Sequence, residues 1–207
     1  MNVRSGQRGR PAVAHAARIA CRGLLAVSLG MAGTPSLADV RHTRETTYYD
    51  VTGSTARELR DQIEQLRPRG DDGGRYDAYT RWRLEWRYMY RETRDACRLA
   101  SFKVTLRTTI HLPRWQAPPG AAADLEARWN AYVDALDRHE QQHEAIAVEA
   151  AETIEREVSA IDRAPDCATL EARVNARAEA LMEDYKARQR DFDMQTAHGR
   201  NEGVKRP

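Results

Sequence analysis

Two stretches of the chain alternate between apolar and polar residues with a period of two. In residues 76–90, aromatic and aliphatic side chains occupy every second position and mostly charged side chains the others. Residues 100–112 repeat the pattern. A period of two is typical of strands with one face in the core and one in water, and we expect the two stretches to pair as an antiparallel hairpin. The aromatic row could instead stack on bases, but its alternation with charged residues favours a place in the core.

Three other segments have the spacing of amphipathic helices. Thr55 and Glu58 form a capping signature at the start of the first, which Pro68 ends. The second covers residues 122–161, and a helix of about 40 residues would span some 60 Å, so we expect it to bend or break. Asp166 is the expected N-cap of the third.

Strands in the first half and long helices in the second predict an α+β domain over residues 39–207. A small antiparallel or mixed sheet would pack on the two long helices. Residues 48–51 could be a further short strand. A cluster of residues that interrupt strands, beginning at Pro113 and ending at Gly120, is expected to close the strand region.

Charge is unevenly distributed along the 207 residues, whose formal net charge is +2. Residues 1–38 contain five arginines and no Asp, Glu or Lys, so the remaining 169 residues carry 28 basic and 31 acidic side chains, a net charge of −3. A general nucleic-acid-binding protein needs a basic face, and the slightly acidic balance argues against that class.

The arginine-rich start resembles an export signal. It is followed by an apolar run over residues 23–33, which is too short to span a bilayer, and by small residues that place cleavage between Ala38 and Asp39. A membrane anchor or a cytosolic tail is the alternative. We therefore expect a secreted or periplasmic protein without stable membrane insertion of the mature chain.

Removal of the leader leaves two cysteines, Cys97 and Cys167. In an oxidising compartment an even pair predicts a disulfide bond, and two buried free thiols are the alternative. On the chain-entropy model, closing a loop of about 70 residues stabilises the fold by about 4 kcal/mol.

The clearest chemical signal is an H-E-x-x-H motif, HEQQH, which begins at His139 inside the second predicted helix. His139 and His143 would project from one helix face, so that two nitrogen atoms can reach one Zn²⁺ at about 2.0–2.1 Å. Zinc lowers the pKa of water toward 7, and Glu140 could then act as general base and acid. The alternative is two solvated histidines in a polar run, but Leu136 and Ile146 place the pair on an apolar stripe.

A catalytic zinc requires a third protein ligand, which this motif does not supply. The longer motif of the metzincins requires a glycine and a further histidine soon after His143. The stretch that contains Ala147 has neither, so the longer motif is absent. His198 is the most attractive candidate, since the glycine after it can turn the chain back against the first long helix. Further candidates are the remaining histidines and four glutamates, Glu149, Glu152, Glu179 and Glu183.

Five segments carry a family resemblance: YDVTG, the strand around Trp82 and Trp86, LPRW, LDRHEQQH and the late DMQTAHG. Together they resemble a bacterial family of proteins predicted to be secreted zinc-dependent proteases of the H-E-x-x-H zincin clan, over nearly the whole mature chain. The resemblance implies a zincin-like fold, His198 as the third zinc ligand and Asp193 as a residue that orients a ligand. Phe192 stands where tyrosine is expected in relatives.

In zincins an edge strand beside the active helix commonly holds an extended peptide by main-chain hydrogen bonds. The strand that ends near His111 is the candidate for this role. His111 could itself approach the cleft as a ligand or as a hydrogen-bond donor to the transition state. A solvated strand histidine is the alternative.

The sequence thus predicts an exported metallopeptidase that binds one Zn²⁺ per chain and hydrolyses a peptide or protein substrate. One alternative is a non-catalytic envelope protein that uses the zinc site for structure or partner binding. Another is a zinc amidase that acts on a non-protein amide. A fourth protein ligand would favour the non-catalytic alternative, because catalytic zinc keeps one position for water.

Overall fold

The computed structural model describes residues 40–207, and the predicted export signal lies outside the described residues. In chain order the elements are β1 (Val40–Thr52), α1 (Ala56–Leu66), β2 (Tyr79–Glu92), β3 (Cys97–Gln116), α2 (Ala123–Ser159), β4 (Arg163–Ala164) and α3 (Cys167–Thr196), followed by a 3₁₀ turn at Arg200–Glu202. This part of the chain is an α+β domain with a small mixed sheet, as predicted. No helix within it is long and apolar enough to cross a membrane.

β2 and β3 form the predicted antiparallel hairpin, with Tyr79 opposite His111 at one end and Glu92 opposite Cys97 at the other. One face of the hairpin packs against α2 and α3 and is almost inaccessible to solvent. The residues of this face exposed by 1 % or less include Leu84, Trp86, Val104 and Leu106. The aromatic row therefore belongs to the core.

β1 is longer than the strand predicted at residues 48–51. It pairs in parallel with β3 from Val40, which lies opposite Val104. The first residues of β1 are polar on both faces, so their composition gives no strand signal. Distant residues supply their partners: Arg44 Nη1, for example, lies 3.1 Å from Oε2 of Glu144 on α2.

The strand order is β1-β3-β2, so β3 is paired on both sides. The expectation that the strand carrying His111 is the edge of the sheet is therefore wrong. Within residues 40–207, β1 and β2 are the two edge strands, and each of them pairs only with β3. β3 also continues through Pro113, because beyond His111 it has only β1 as a partner, which leaves room for a residue without an N–H group.

α2 is a continuous helix of 37 residues, about 56 Å long. We expected a bend or a break; the break does not occur, and residues 123–159 contain no glycine or proline that would cause one. The capping signature of α1 is confirmed: Thr55 Oγ1 accepts from the backbone N–H of Glu58 at 3.2 Å, and the Glu58 carboxylate accepts from the backbone N–H of Thr55 at 3.1 Å.

The predicted disulfide between Cys97 and Cys167 is present and joins the start of β3 to the start of α3, with the Cα atoms 4.9 Å apart. Asp166 caps α3 as predicted, since its Oδ1 accepts from the backbone N–H of Thr169 at 2.7 Å. Disulfide and cap together fix one end of α3 against the sheet. The other end of α3 lies at the HEQQH motif.

Candidate metal centre

α2 presents the HEQQH motif to the interior. His139, Glu140 and His143 are all buried, with exposed fractions of 4 %, 2 % and 9 %. The two imidazole rings are nearly perpendicular, and their centroids lie 4.9 Å apart. The two histidines are therefore not solvated residues of a polar run.

The ε-nitrogen atoms of both rings converge on one carboxylate oxygen near the end of α3. Asp193 Oδ1 lies 3.3 Å from Nε2 of His139 and 3.1 Å from Nε2 of His143. The three atoms all lie within 4.8 Å of one another. The carboxylate that was expected to orient a ligand thus occupies the position of a third donor atom.

The δ-nitrogen atoms of the two rings face acceptors of their own. Oε2 of Glu202 lies 2.7 Å from Nδ1 of His139. Gln189 donates from Nε2 to the backbone carbonyl of His143 at 2.8 Å, which turns its Oε1 toward Nδ1 of the same histidine, 2.5 Å away. Because a carboxylate and an amide oxygen can only accept, both rings carry a proton on Nδ1.

This arrangement fits a metal cation. A neutral imidazole protonated on Nδ1 presents a lone pair at Nε2, and here two such lone pairs point at the Asp193 carboxylate, which is repulsive unless a proton or a metal lies between them. Ligands at about 2.0–2.1 Å from a tetrahedral zinc are about 3.3 Å from one another. The separations of 3.1 and 3.3 Å between the imidazole nitrogens and Asp193 Oδ1 are close to that value. Imidazole nitrogen and carboxylate oxygen are both ligands that zinc accepts.

The same contacts shift the pKa values of the three groups. Burial alone would lower the pKa of His139 and His143, but hydrogen bonds to Asp193 and the charges of Asp193 and Glu140 outweigh it and raise both. Burial alone would raise the pKa of Asp193, but the two imidazoles bring it well below its usual range. The cluster therefore favours positive charge at the ring nitrogens, and protons would compete with a metal for those atoms.

His198 lies beside the cluster, in the turn after α3, but it is not one of the three residues whose donor atoms lie within 4.8 Å of one another. Its Nδ1 lies 3.2 Å from the same oxygen of Asp193, although its side chain is 56 % exposed. Ala197 and His198 have φ angles of 52° and 54°, a left-handed conformation that costs a non-glycine residue about 1–2 kcal/mol. Such strain concentrates at functional sites. The assignment of His198 as a metal ligand stays a prediction, with the Asp193 carboxylate beside it.

Gly199 allows this turn to approach the motif. Its φ is 78°, and a Cβ at this position would lie 2.7 Å from Cγ2 of Val204 and 3.3 Å from Cγ of His139. The segment that contains Gly199, Glu202 and Val204 therefore packs directly against the His139 ring.

Glu140 is held by a residue of β2. The hydroxyl group of Thr80 lies 2.9 Å from Oε2 of Glu140 and 3.0 Å from its backbone carbonyl oxygen. Burial raises the pKa of Glu140 against the opposing effects of His143 and Thr80. A buried carboxylate with a raised pKa beside candidate metal ligands is suited to accept a proton.

A cleft of about 620 Å³ opens onto these groups. β2 contributes Tyr79, Thr80 and Trp82 to its lining, and α3 contributes Gln189 and Asp193. The candidate metal centre also borders this cleft, through His139, Glu140, His143 and His198. A substrate could therefore reach Glu140 and the cluster from solvent.

His111 is not brought into this cluster. It lies on the polar face of β3, as predicted, where Nδ1 is 2.6 Å from Oγ1 of Thr47. Its ring stacks on Tyr79 with the centroids 4.2 Å apart, so that a residue lining the cleft lies against His111. Burial, followed by the charge of Arg81, lowers the pKa of His111.

The remaining sequence candidates have other contacts. Glu149 pairs with Arg188 at 2.7 Å, and Glu183 pairs with Lys186. Neither these two nor Glu152 and Glu179 belong to the cluster of possible ligands found within residues 40–207. Phe192 stacks on His139 with the centroids 4.9 Å apart, so this position supplies packing and no hydroxyl group.

Three residues of the site were not anticipated: Thr80, Gln189 and Glu202. Thr80 is the one threonine in the inward-facing aromatic and aliphatic row of β2. A hydroxyl group among apolar side chains could have indicated a functional position. Gln189 precedes Asp193 by four residues and so shares its helix face. Glu202 follows the last long helix, where neither periodicity nor a motif marks it.

No curated protein and no solved structure matches the chain. A family model described as "Bacterial protein of unknown function (DUF922)" matches residues 46–199. The matched segment includes the HEQQH motif, Asp193 and His198 and ends before Glu202. The chain therefore belongs to this family of bacterial proteins of unknown function.

Proposed function

We propose that the protein is an exported zinc-dependent metallopeptidase with a zincin-like arrangement of helix and sheet. The observation that carries this proposal is the convergence of two buried imidazole Nε2 atoms on Asp193 Oδ1, at 3.3 and 3.1 Å, with both Nδ1 atoms already engaged by acceptors. Buried Glu140 borders the same open cleft. The leader and the disulfide support export, because disulfides are typical of oxidising compartments.

In this proposal His139 and His143 hold one Zn²⁺. Zinc supplies a Lewis acid that polarises the substrate carbonyl and brings the pKa of water toward 7. Glu140 takes the proton of the attacking water at its carboxylate and delivers it to the leaving amine. The hydroxyl group of Thr80, 2.9 Å from Oε2, keeps that carboxylate in one orientation.

The third ligand is His198 or Asp193. The family resemblance supports His198 as the third ligand, with Asp193 as the residue that orients a ligand. The position of Asp193 Oδ1 beside the imidazole nitrogens supports the Asp193 carboxylate as the third ligand. Zinc titrations of His198→Asn and Asp193→Asn decide between them. The variant that lacks a ligand loses affinity by several orders of magnitude, whereas loss of an orienting residue costs about 10–100-fold.

The free edge of β2 is the proposed site for the substrate backbone. β2 pairs only with β3 within the described residues, and Tyr79 and Thr80 at its start line the cleft. An extended peptide could add to this edge by main-chain hydrogen bonds. β2 thus takes the role that the sequence suggested for β3.

The decisive experiment compares wild type with Glu140→Gln for zinc content and for hydrolysis of an unstructured protein substrate. We expect retained zinc and a loss of rate of at least 10²–10⁴-fold, the usual contribution of general acid–base catalysis. Glu152→Gln is the matched control, because Glu152 is an exposed glutamate of the same helix. Hydrolysis by Glu140→Gln at the wild-type rate would exclude Glu140 as the base.

A closed, non-catalytic zinc site is the second candidate. The donor atoms of His139, His143 and Asp193 lie within 4.8 Å of one another. His198 is outside that group, but its Nδ1 lies 3.2 Å from Asp193 Oδ1 and could move in as a fourth donor. If all four bound zinc, no position would remain for water. X-ray absorption of the zinc-loaded protein counts the ligands: three from the protein and one from water support the peptidase, and four from the protein support a structural site.

A further inference from the structure

The outer face of the β2–β3 hairpin is exposed and basic. α2 and α3 pack on the inner face, where the apolar core lies. Arg81, Arg83 and Arg87 of β2 point outward and are exposed, with the partly buried Glu85 between the last two. This face contrasts with the net negative charge of residues 39–207.

Like charges lie directly opposite each other on this face. Arg83 is opposite Arg107, and Arg87 is opposite Lys103. Such pairs destabilise a sheet, because their side chains come within about 5 Å of each other at Cβ. Oε1 of Glu85 lies 3.6 Å from Nη1 of Arg107, so the charge of Glu85 offsets the repulsion between Arg83 and Arg107 only weakly. Neither Arg83 nor Arg87 forms an ion pair with another residue of the described chain.

The same arginines lie on β2, one of the two edge strands of the sheet. A strand that paired with β2 would place every second side chain beside the outward row of Arg83, Glu85 and Arg87. Carboxylates opposite the two arginines would be stabilised, and a neutral or basic side chain is required opposite Glu85. The two favourable positions of such a strand are four residues apart.

This outward row leads into the cleft. Arg81 belongs to it, stacks over the ring of Tyr79 at 5.5 Å and pairs with Asp71 at 2.9 Å. Tyr79, Asp71 and Thr80 line the cleft that contains Glu140. A strand on the edge of β2 would therefore extend from the arginine row to the candidate metal centre.

We propose that β2 selects an extended polypeptide with acidic residues four positions apart and a neutral or basic residue midway between them. This inference rests on the proposed function, since it names the substrate class of the same cleft. An anionic membrane would also be attracted to the arginines, but it would not distinguish spacings along a peptide. The free edge and the continuity with the cleft favour the polypeptide.

Binding is measured with zinc-loaded Glu140→Gln and two fluorescein-labelled peptides of identical composition. One is Thr-Glu-Thr-Lys-Thr-Glu-Thr, and the other is Thr-Glu-Thr-Lys-Glu-Thr-Thr, in which the glutamates are three positions apart and point to opposite faces of a strand. We expect the first to bind about tenfold more tightly by fluorescence anisotropy at low salt. The difference should shrink as the salt concentration rises.

Charge reversal on β2 tests whether these arginines are responsible. Arg83→Glu/Arg87→Glu should abolish the preference without lowering the free energy of unfolding, because it removes two like-charge pairs. Arg57→Glu/Arg128→Glu makes the same change of charge on α1 and α2, at side chains 87 % and 52 % exposed, and should preserve the preference.

The outcomes separate this inference from the proposed function. Equal binding of the two peptides overturns the inference, and hydrolysis by the wild type would then still support the peptidase. Spacing-dependent binding that Arg83→Glu/Arg87→Glu abolishes supports the inference, even if the wild type hydrolyses nothing and the peptidase fails. Equal binding together with sedimentation on phosphatidylglycerol-rich vesicles would assign the face to a membrane instead.

Discussion

Asp193 Oδ1 lies within 3.3 Å of three imidazole nitrogens, those of His139, His143 and His198. A carboxylate oxygen has about two lone pairs, so it cannot accept well from three rings at once. A cation between this oxygen and the Nε2 atoms of His139 and His143, which lie within 4.8 Å of one another, would allow these three atoms to act as ligands to one centre. The crowding around Asp193 is thus a chemical reason to expect a metal at this place.

Glu202 should set the affinity for zinc without touching the metal. It accepts from Nδ1 of His139 at 2.7 Å, which orients the ring and raises its basicity. We expect Glu202→Ala to weaken zinc binding about 10–100-fold and Glu202→Gln, which keeps an acceptor, to weaken it less. Competition with a chelator measures the affinity. Glu179→Ala, at an exposed position of α3, is the control, and wild-type affinity in Glu202→Ala would contradict this role.

Gly199 should be irreplaceable for two separable reasons. Gly199→Ala introduces a Cβ at φ 78°, 2.7 Å from Val204 and 3.3 Å from the His139 ring, whereas Gly73→Ala introduces one at φ 84° with no atom within 4 Å. We expect about 1–2 kcal/mol of destabilisation from backbone strain in both, and a further loss in Gly199→Ala alone from packing. Urea unfolding measures both, and equal losses would exclude the packing effect.

The predictability of site residues depended on how local their signals are. His139, Glu140 and His143 follow from spacing within one helix. His198 was a candidate because a glycine turn follows it, and Asp193 was implied by the family resemblance alone. Thr80 and Glu202 act because β2 and the turn after α3 happen to pack on α2. That packing is a tertiary property, and residue spacing in the sequence does not predict it.

At the scale of elements, alternation identified β2 and β3 because each has one buried and one solvated face. Most of β1 was not predicted, because its polar residues are stabilised by pairing with β3 and by an ion pair with Glu144. Both partners lie more than 60 positions further along the chain. The edge of the sheet was misassigned for the same reason, since β3 becomes central only through its pairing with β1. Strand order therefore required the structure.

The disulfide between the start of β3 and the start of α3 should stabilise the whole fold. Cys97 and Cys167 close a loop with a sequence separation of 70 residues, for which the chain-entropy model gives about 4 kcal/mol. We expect Cys97→Ala/Cys167→Ala to unfold at a correspondingly lower urea concentration than the oxidised wild type. Reduced wild type is the control and should resemble the variant. Equal stability of all three would show that the bond is dispensable.

At the scale of the whole molecule, pH should act oppositely on the zinc-free and zinc-bound states. The pKa values of His139 and His143 are raised in the fold, so their stabilisation is complete below the unfolded value of about 6.5 and is lost as pH rises through the folded values. If the proposed site binds zinc, the metal would have to displace those protons, so its contribution to stability would grow with pH. The lowered pKa of Asp193 adds stability that is complete above about pH 4 and so does not change in this range.

We expect the Tm of zinc-free protein to fall between about pH 6 and pH 8, and the rise in Tm on adding zinc to grow over the same range. Differential scanning fluorimetry at a series of pH values measures both. His139→Asn/His143→Asn should show neither trend. A zinc-induced shift in Tm that did not change with pH would place the metal on groups other than these imidazoles.

The distance along the chain between His139 and its partners has a consequence for biosynthesis. Asp193 follows His139 by 54 positions and Glu202 follows it by 63, an interval of about 3–13 s at ordinary rates of translation. Until the end of α3 has docked on α2, the HEQQH motif offers a metal two ligands at most. Stable loading of the proposed metal would therefore be a late step in folding, and the identity of the metal would reflect the compartment in which the chain folds and not the one in which it is translated.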